Sequence, residues 1–341
     1  MSKLKLTELT LAGFRKFQKE DTLALVSPAG NPLDYVVLAG PNGCGKTTIL
    51  EAIALVLGRD ELLSRDLAPR EVAAATRIGV PPGATLTATL LDARLDPPLS
   101  VRVTRTATKH EVDFPGQSGL DGRRFDWQEY APPVEYISSR RRAALLGPIQ
   151  ESVQGRLPDD TEADRILLLK NRILQQQGRR GNPGYRGPAP LDQTWLARLN
   201  AFWAAFRHDG TTFALDVVDA SVIDETWWNL YLFNGPTRVC PVDALSSGEL
   251  EILGMAAPFI VRGFDGLLLF DEPELHLHPE WQARVVRAMR ALLPEAQIIV
   301  TSHADDPWDD AMSWERFLLV PDDDPRSAVW RAQHADPGDE E

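Results

Sequence analysis

Gly40-Pro41-Asn42-Gly43-Cys44-Gly45-Lys46-Thr47 fits the spacing GxxxxGK[ST] and lies between an apolar run, Tyr35–Ala39, and a helical pattern, Thr47–Leu57. A short buried strand, a glycine-rich turn and a helix, in that order, build a phosphate-binding loop. The glycines let backbone N–H groups curl around a phosphate, and the helix N-terminus adds about half a positive charge aimed at it. In such a loop Lys46 reaches the β- and γ-phosphates, and the Thr47 hydroxyl ligates Mg²⁺. The competing reading is a plain glycine-rich turn before a helix. Here every position is filled in the context the chemistry needs.

Working outward, Leu267–Phe270 and Ile298–Val300 repeat the short apolar run of Val36–Ala39. Continuous apolar strands, each beside an amphipathic helix, imply a parallel sheet covered on both faces. The run Leu267-Leu268-Leu269-Phe270 ends in Asp271-Glu272. A strand tip can set Asp271 near a metal and Glu272 beside a water that attacks a γ-phosphate, although paired acids at strand ends also cap helices. Leu245-Ser246-Ser247-Gly248-Glu249 opens a second helix, expected over 249–262. Ser246-x-x-Glu249 is a capping box that needs no ligand. The same helix N-terminus, with a Ser hydroxyl and a glycine for close approach, is also a phosphate site. Gly248 precedes Asp271 by 23 residues, one helix plus one strand.

Alternating polarity predicts strands over 4–17, 21–27, 84–92 and 99–114, then over 211–219, 227–233 and 237–241. A helix is expected over 280–293 behind Pro279, and an αα-hairpin over 160–177 and 191–207, with Gly178–Pro190 as the loop between them. The sheet that carries the motifs is therefore split in sequence. The expected organisation is a first head part with an antiparallel β subdomain, 1–137, and an inserted basic helical lobe, 138–210. The second head part follows over 211–320, then an acidic tail, 321–341.

The chain has 341 residues, 43% hydrophobic and 25% charged, with a net charge of −13 and two Cys. That composition excludes disordered and fibrous classes, and two Cys cannot build a disulfide framework. Its longest unbroken apolar stretches, Ala52–Leu57 among them, fall far short of the ~20 residues that cross a bilayer. The opening MSKLKLTELT lacks the apolar run of a secretory signal, so a cytoplasmic protein without a membrane partner is expected. Charge is uneven: residues 138–190 carry ten Arg/Lys against five acids, and 322–341 carry seven acids against two Arg.

The order of glycine-rich loop, LSSGE (245–249), LLLFDEPE (267–274) and Thr301-Ser302-His303 resembles the ABC-type ATPase head. More narrowly it is similar to the SMC/RecF/OLD branch, through LTLAGFRKF (9–17), GPNGCGKTTILEAIALVLG (40–58), DEPELHLHPEWQ (271–282) and QIIVTSH (297–303). The resemblance covers roughly residues 1–60 and 240–305. It implies an α/β P-loop NTPase head with a mixed sheet, in which ATP is sandwiched between two copies of the chain. By position, Gly43, Gly45, Lys46, Thr47 and Thr48 hold phosphate and Mg²⁺, with Asn42 and Cys44 in the same cofactor-binding loop. Asp271 supports the metal, Glu272 is the general base, and His303 touches the γ-phosphate. Ser246 and Gly248 complete the partner copy's site. Three departures stand out. Ser247 replaces a glycine of the usual LSGGQ. Gln117, Gln128 and Gln150 all remain candidates for the Q-loop. The αα-hairpin is also too short to be a long coiled-coil arm.

The resemblance implies an ATPase that dimerises on ATP and licenses a separate effector, in bacterial DNA maintenance or phage defence. The alternative is the motor subunit of a membrane transporter. An OLD-type nuclease needs an acidic metal-binding domain beyond His303, and a hydrolysis-dead sensor is the third rival. Arg140-Arg141-Arg142, with Arg179, Arg180 and Arg186, reads either as a solvated charge run or as a DNA or RNA contact. Arg15 and Lys16 either meet nucleotide or flank a strand. His276 and His278 lack further ligands for a metal. Trp195, Trp203, Trp227 and Trp228 are read as core.

Overall fold

The computed structural model describes residues 4–64, 79–115, 131–139, 149–150, 194–218, 227–303 and 305–320. The described residues belong to two compact units. One comprises Met1–Ser139, Asp265–Leu275 and Glu295–Glu341, and the other Arg140–Phe264 and His276–Pro294.

The first unit holds two sheets. β1 (Lys5–Ala12), β2 (Asp21–Ala24), β4 (Thr85–Asp92), β5 (Leu99–Thr106) and β6 (His110–Asp113) form an antiparallel sheet in the order β2-β1-β4-β5-β6. Along β4 burial alternates residue by residue, because Leu86, Ala88 and Leu90 face the core while threonines face out. The stretch 99–114, expected as one strand, is a hairpin. Thr106 N donates to Lys109 O at 2.9 Å, and the Thr106 hydroxyl accepts from Lys109 N at 3.1 Å, which turns the chain.

The second sheet of this unit is parallel. β3 (Tyr35–Ala39), β7 (Val134–Ile137), β12 (Leu267–Asp271), β13 (Gln297–Thr301) and β14 (Arg316–Leu318) lie in the order β14-β3-β13-β12-β7. Every residue of β12 and β13 is buried, as continuous apolar strands require. In register, Asp271 sits opposite Thr301, Thr301 opposite Leu38, and Phe270 opposite Ile137. Four strands therefore end at one level, and the crevice outside carboxyl ends is where open α/β sheets bind ligands. The helix α1 (Lys46–Val56) packs on β4 and β5 of one sheet and on β12 and β13 of the other. That double contact buries Ile49, Leu50, Ile53, Leu55 and Val56 almost completely. Leu50→Ala there removes about 2–5 kcal/mol of stability. Gln297 is a polar staple inside this apolar layer. Its Oε1 accepts from Leu6 N at 2.7 Å, and its Nε2 donates to the carbonyls of Leu6 and Leu33 at 2.8 and 2.7 Å. Short helices α2 (Glu61–Ser64) and α6 (Asp305–Asp309) complete this unit.

The second unit centres on β10 (Trp227–Asn234), which pairs antiparallel with β8 (Ile149–Gln150), β9 (Thr211–Val217) and β11 (Thr237–Pro241). Three helices accompany it: α3 (Thr194–Ala204), α4 (Ser247–Arg262) and α5 (Pro279–Leu292). Trp195 and Trp203 are buried, with Trp203 edge-on to Phe213 at 4.9 Å and its indole N–H donating to Thr211 Oγ1 at 3.1 Å. An aromatic body with a satisfied polar tip is core material, as the sequence indicates. The expected helix over 160–177, the loop Gly178–Pro190, Gln117, Gln128, Arg140–Arg142 and the tail from 321 lie outside the described residues. So do the side chains of Gln150, Trp227 and Trp228. Among the described residues no helix is long and apolar enough to cross a membrane.

Candidate functional site

The glycine-rich loop links β3 to α1, and two of its glycines are fixed by sterics. Gly40 has φ 140°, and a Cβ there would meet the Leu319 carbonyl oxygen at 2.4 Å. Gly45 has φ 109°, and a Cβ there would press on the Phe17 ring at 3.0 Å. Both positions therefore demand a residue without a side chain. Lys16 Nζ donates to Gly43 O at 3.0 Å, so Lys16 touches the loop, whereas Arg15 turns to Glu51 of α1.

Lys46 is buried at the start of α1 and donates to Gly40 O at 2.9 Å and Pro41 O at 3.3 Å. Its Nζ is also 3.0 Å from His303 Nε2, and that nitrogen is 3.0 Å from Glu272 Oε1. A neutral imidazole nitrogen can serve only one of these partners at a time. With the proton on Nε2 it donates to Glu272; with the proton on Nδ1 it accepts from Lys46. Glu272 follows β12 at φ 45°, the left-handed region, where a non-glycine residue costs on the order of 1 kcal/mol. Its backbone N–H is held by Thr301 Oγ1 at 2.9 Å, which turns the side chain out of the strand direction toward His303.

Asp271 is fully buried, and three hydroxyls converge on its carboxylate: Thr47 at 3.0 and 3.2 Å, Ser139 at 3.0 Å and Thr301 at 2.7 Å. One carboxylate ringed by hydroxyl oxygens suits Mg²⁺, which keeps waters and takes further oxygens from phosphate. Among the described residues no group of three or more His, Cys, Asp or Glu could hold a metal by itself. His278 instead caps α5, its Nδ1 accepting from Glu280 N at 3.4 Å.

Two further residues complete this site. Ser139 ends the segment after β7 and reaches Asp271 only because β7 borders β12. Glu274 is 6% exposed; its Oε1 accepts from Ser302 Oγ at 2.9 Å and from His303 N at 2.7 Å, and Oε2 has no partner among the described residues. Glu274 thus pins the backbone that carries the His303 ring. Its position inside DEPE offered a signal, but an acid following two others looks like surface charge.

Ser246 and Gly248 lie in the second unit. Ser246 is exposed and is the N-cap of α4, and the capping box is complete: Glu249 N donates to Ser246 Oγ at 3.4 Å, and Ser246 N donates to Glu249 Oε2 at 2.8 Å. The loop after α3 supports this corner. Arg207 Nη1 donates to Glu249 Oε1 at 2.7 Å, and Arg207 also binds Asp209. The Thr211 hydroxyl bond, aided by Arg207, holds the Asp209 carboxyl down at about 2. Burial pushes the Cys240 thiol up, with Glu249 adding to the rise.

Two family models match the chain: one described as "AAA domain, putative AbiEii toxin, Type IV TA system" over residues 133–305, and one described as an AAA domain over residues 8–76. Among curated proteins, the Septu protein PtuA of Bacillus thuringiensis is 50% identical over 44 residues, 13% of this chain and 11% of that protein. The "Retron Ec83 probable ATPase" of Escherichia coli is 36% identical over 72 residues, 18% of this chain and 13% of that protein. These matches span only about an eighth of the relatives' own lengths. The crystal structure of an SMC head bound to the C-winged helix domain of ScpA shares the fold, with a TM-score of 0.52. It is 16% identical, over 90% of this chain and 92% of that one.

Proposed function

This chain belongs to the AAA-domain family matched across residues 133–305, with the fold of an SMC head, and from that premise we propose that it is an ATP-driven dimerisation switch. Two copies clasp ATP between the Lys46 cradle of one and the Ser246 corner of the other. The observation that carries the reading is the convergence of Lys46, Thr47, Asp271, Glu272 and His303 at the carboxyl ends of β3, β12 and β13.

Phosphoryl transfer asks mostly for positioning and charge stabilisation. Lys46 exchanges its two loop carbonyls for phosphate oxygens. The residues that fit Mg²⁺ are Thr47 and Asp271, with Ser139 beside them; the ion supplies neutralisation of developing charge on the transferred group. Glu272, aimed by its left-handed backbone, orients the attacking water and receives its proton. His303 Nε2 lies between Lys46 and Glu272 and can trade its hydrogen bond from one to the other, so it senses both the cation and the base. Asn42, Gly43, Cys44, Gly45 and Thr48 supply the rest of the cradle.

Closure favours the ATP-bound state, and hydrolysis reopens it. A separate effector protein is licensed by that cycle, in phage defence or DNA maintenance; the short matches to PtuA and the retron ATPase support this setting. The excess of Arg in 138–190 supports DNA or RNA as a further partner. The deciding experiment is the mass of Glu272→Gln protein with and without ATP and Mg²⁺. A nucleotide-dependent dimer is expected, and a monomer under saturating ATP overturns the proposal.

A further inference from the structure

We infer that Arg207 is a positioning residue for the signature corner: its grip on Glu249 governs whether the Ser246 hydroxyl points inward or donates outward to phosphate. This rests on the reading of Ser246 as part of the partner's ATP site.

The Ser246 hydroxyl has one proton to give. Ser246 Oγ lies 2.8 Å from Glu249 Oε2, a carboxylate oxygen that only accepts, so in this structure the proton points inward. A phosphate oxygen is also only an acceptor. Ser246 can therefore serve an incoming γ-phosphate only if Glu249 releases that proton. Glu249 is 8% exposed, and a buried carboxylate surrenders a donor at a cost set by the donors it keeps. It keeps Ser246 N on Oε2 and the Arg207 guanidinium on Oε1. Arg207 thus neutralises the carboxylate that competes with phosphate for the serine proton, and screens its charge from the ligand.

Arg207 is itself fixed in place. Its Nε and Nη2 donate to Asp209 Oδ2 at 3.0 and 2.6 Å, and its guanidinium lies 5.9 Å from the Trp203 ring centre. The flanking residues anchor to α5: Phe206 stacks edge-on with Trp281 at 6.1 Å, and Arg284 Nη1 donates to His208 Nε2 at 2.8 Å. The loop between α3 and β9 therefore ties the corner to α5.

The test uses the full chain in the Glu272→Gln background, reading the ATP concentration for half-maximal dimerisation and, separately, nucleotide affinity at protein concentrations below dimerisation. Arg207→Ala should raise the dimerisation threshold about tenfold, the scale of one charge-assisted hydrogen bond, with monomer affinity unchanged. Arg207→Lys should fall between. Arg207→Met keeps the stem over Trp203 and should match Arg207→Ala, which covers poor folding of the alanine variant. Adding Glu249→Gln to Arg207→Ala should bring the threshold to within about twofold of Glu249→Gln alone, a coupling that an arginine acting independently of Glu249 lacks. Unchanged monomer affinity and unchanged melting of Arg207→Met separate positioning from a folding role. Wild-type thresholds for Arg207→Ala and Arg207→Met, or penalties that simply add, overturn the inference. No ATP-dependent dimer in the Glu272→Gln parent removes the sandwich reading and this inference with it.

Discussion

In the cradle, Lys46, His303 and Glu272 are linked to one another, and Asp271 is saturated by hydroxyls from three segments. At the signature corner, Ser246 and Ser247 face solvent, and Ser246 is held by a carboxylate of its own helix. In the cradle the charged groups are hydrogen-bonded by neutral partners, Lys46 by two loop carbonyls and Asp271 by three hydroxyls. The corner is stable as a helix cap, and in the proposed reading it is a half-site that trades its serine proton for an incoming phosphate. On that reading, a catalytic centre split in this way stays quiet in one copy and becomes complete only in two.

Breaking the cradle should have the largest effects. Glu272→Gln should lower turnover by about 10²–10⁴-fold, the usual contribution of a general base, while leaving nucleotide binding intact; steady-state phosphate release checks the first and equilibrium binding the second. Lys46→Ala should cost about 10²–10³-fold in turnover and should also weaken nucleotide binding. Glu274→Ala strips an acceptor from Ser302 Oγ and His303 N, a cost of about 1–3 kcal/mol visible in denaturant melts. Turnover there should fall with nucleotide affinity unchanged, and Glu274→Gln, which retains an acceptor oxygen, should recover most of the loss.

The corner should respond more gently and in another observable. Ser246→Ala should cost about 1 kcal/mol of stability through the lost cap and raise the ATP needed for dimerisation, with no change in monomer affinity. The smallest effect concerns Asp209. Its carboxyl is depressed from 3.8 to about 2, so its contribution is complete above the ordinary value and vanishes as pH falls through about 2. Asp209→Asn should therefore flatten the acid limb of the melting curve between about pH 4 and 2, with a modest, solvent-screened loss at neutral pH that disappears as the two proteins converge near pH 2.

Much of the cradle was legible because its signals are local. Apolar strands of four or five residues, each ending in a polar motif, announce both the sheet and the level at which the motifs gather. Ser139 was not legible: a lone serine after a strand gains meaning only from the neighbouring strand that borders it. Arg207 lies 42 residues before Glu249 in sequence, and no periodicity links a loop arginine to a distant helix cap. The single strand expected over 99–114 failed for a local reason: Thr106 folds back on Lys109, a side-chain turn signal hidden within an alternating pattern. Lys16 shows the limit from the other side. Neighbouring cations in GFRKF look equivalent, yet one meets the loop and the other an acid on α1.

The most direct measurement mixes two inactive variants, Lys46→Ala and Ser246→Arg, and follows ATP turnover. If the cradle of one copy works with the corner of the other, a mixed dimer holds one intact site. Random pairing then restores about a quarter of wild-type turnover in a one-to-one mixture. Turnover no higher than the average of the two separate variants would contradict a site shared between copies.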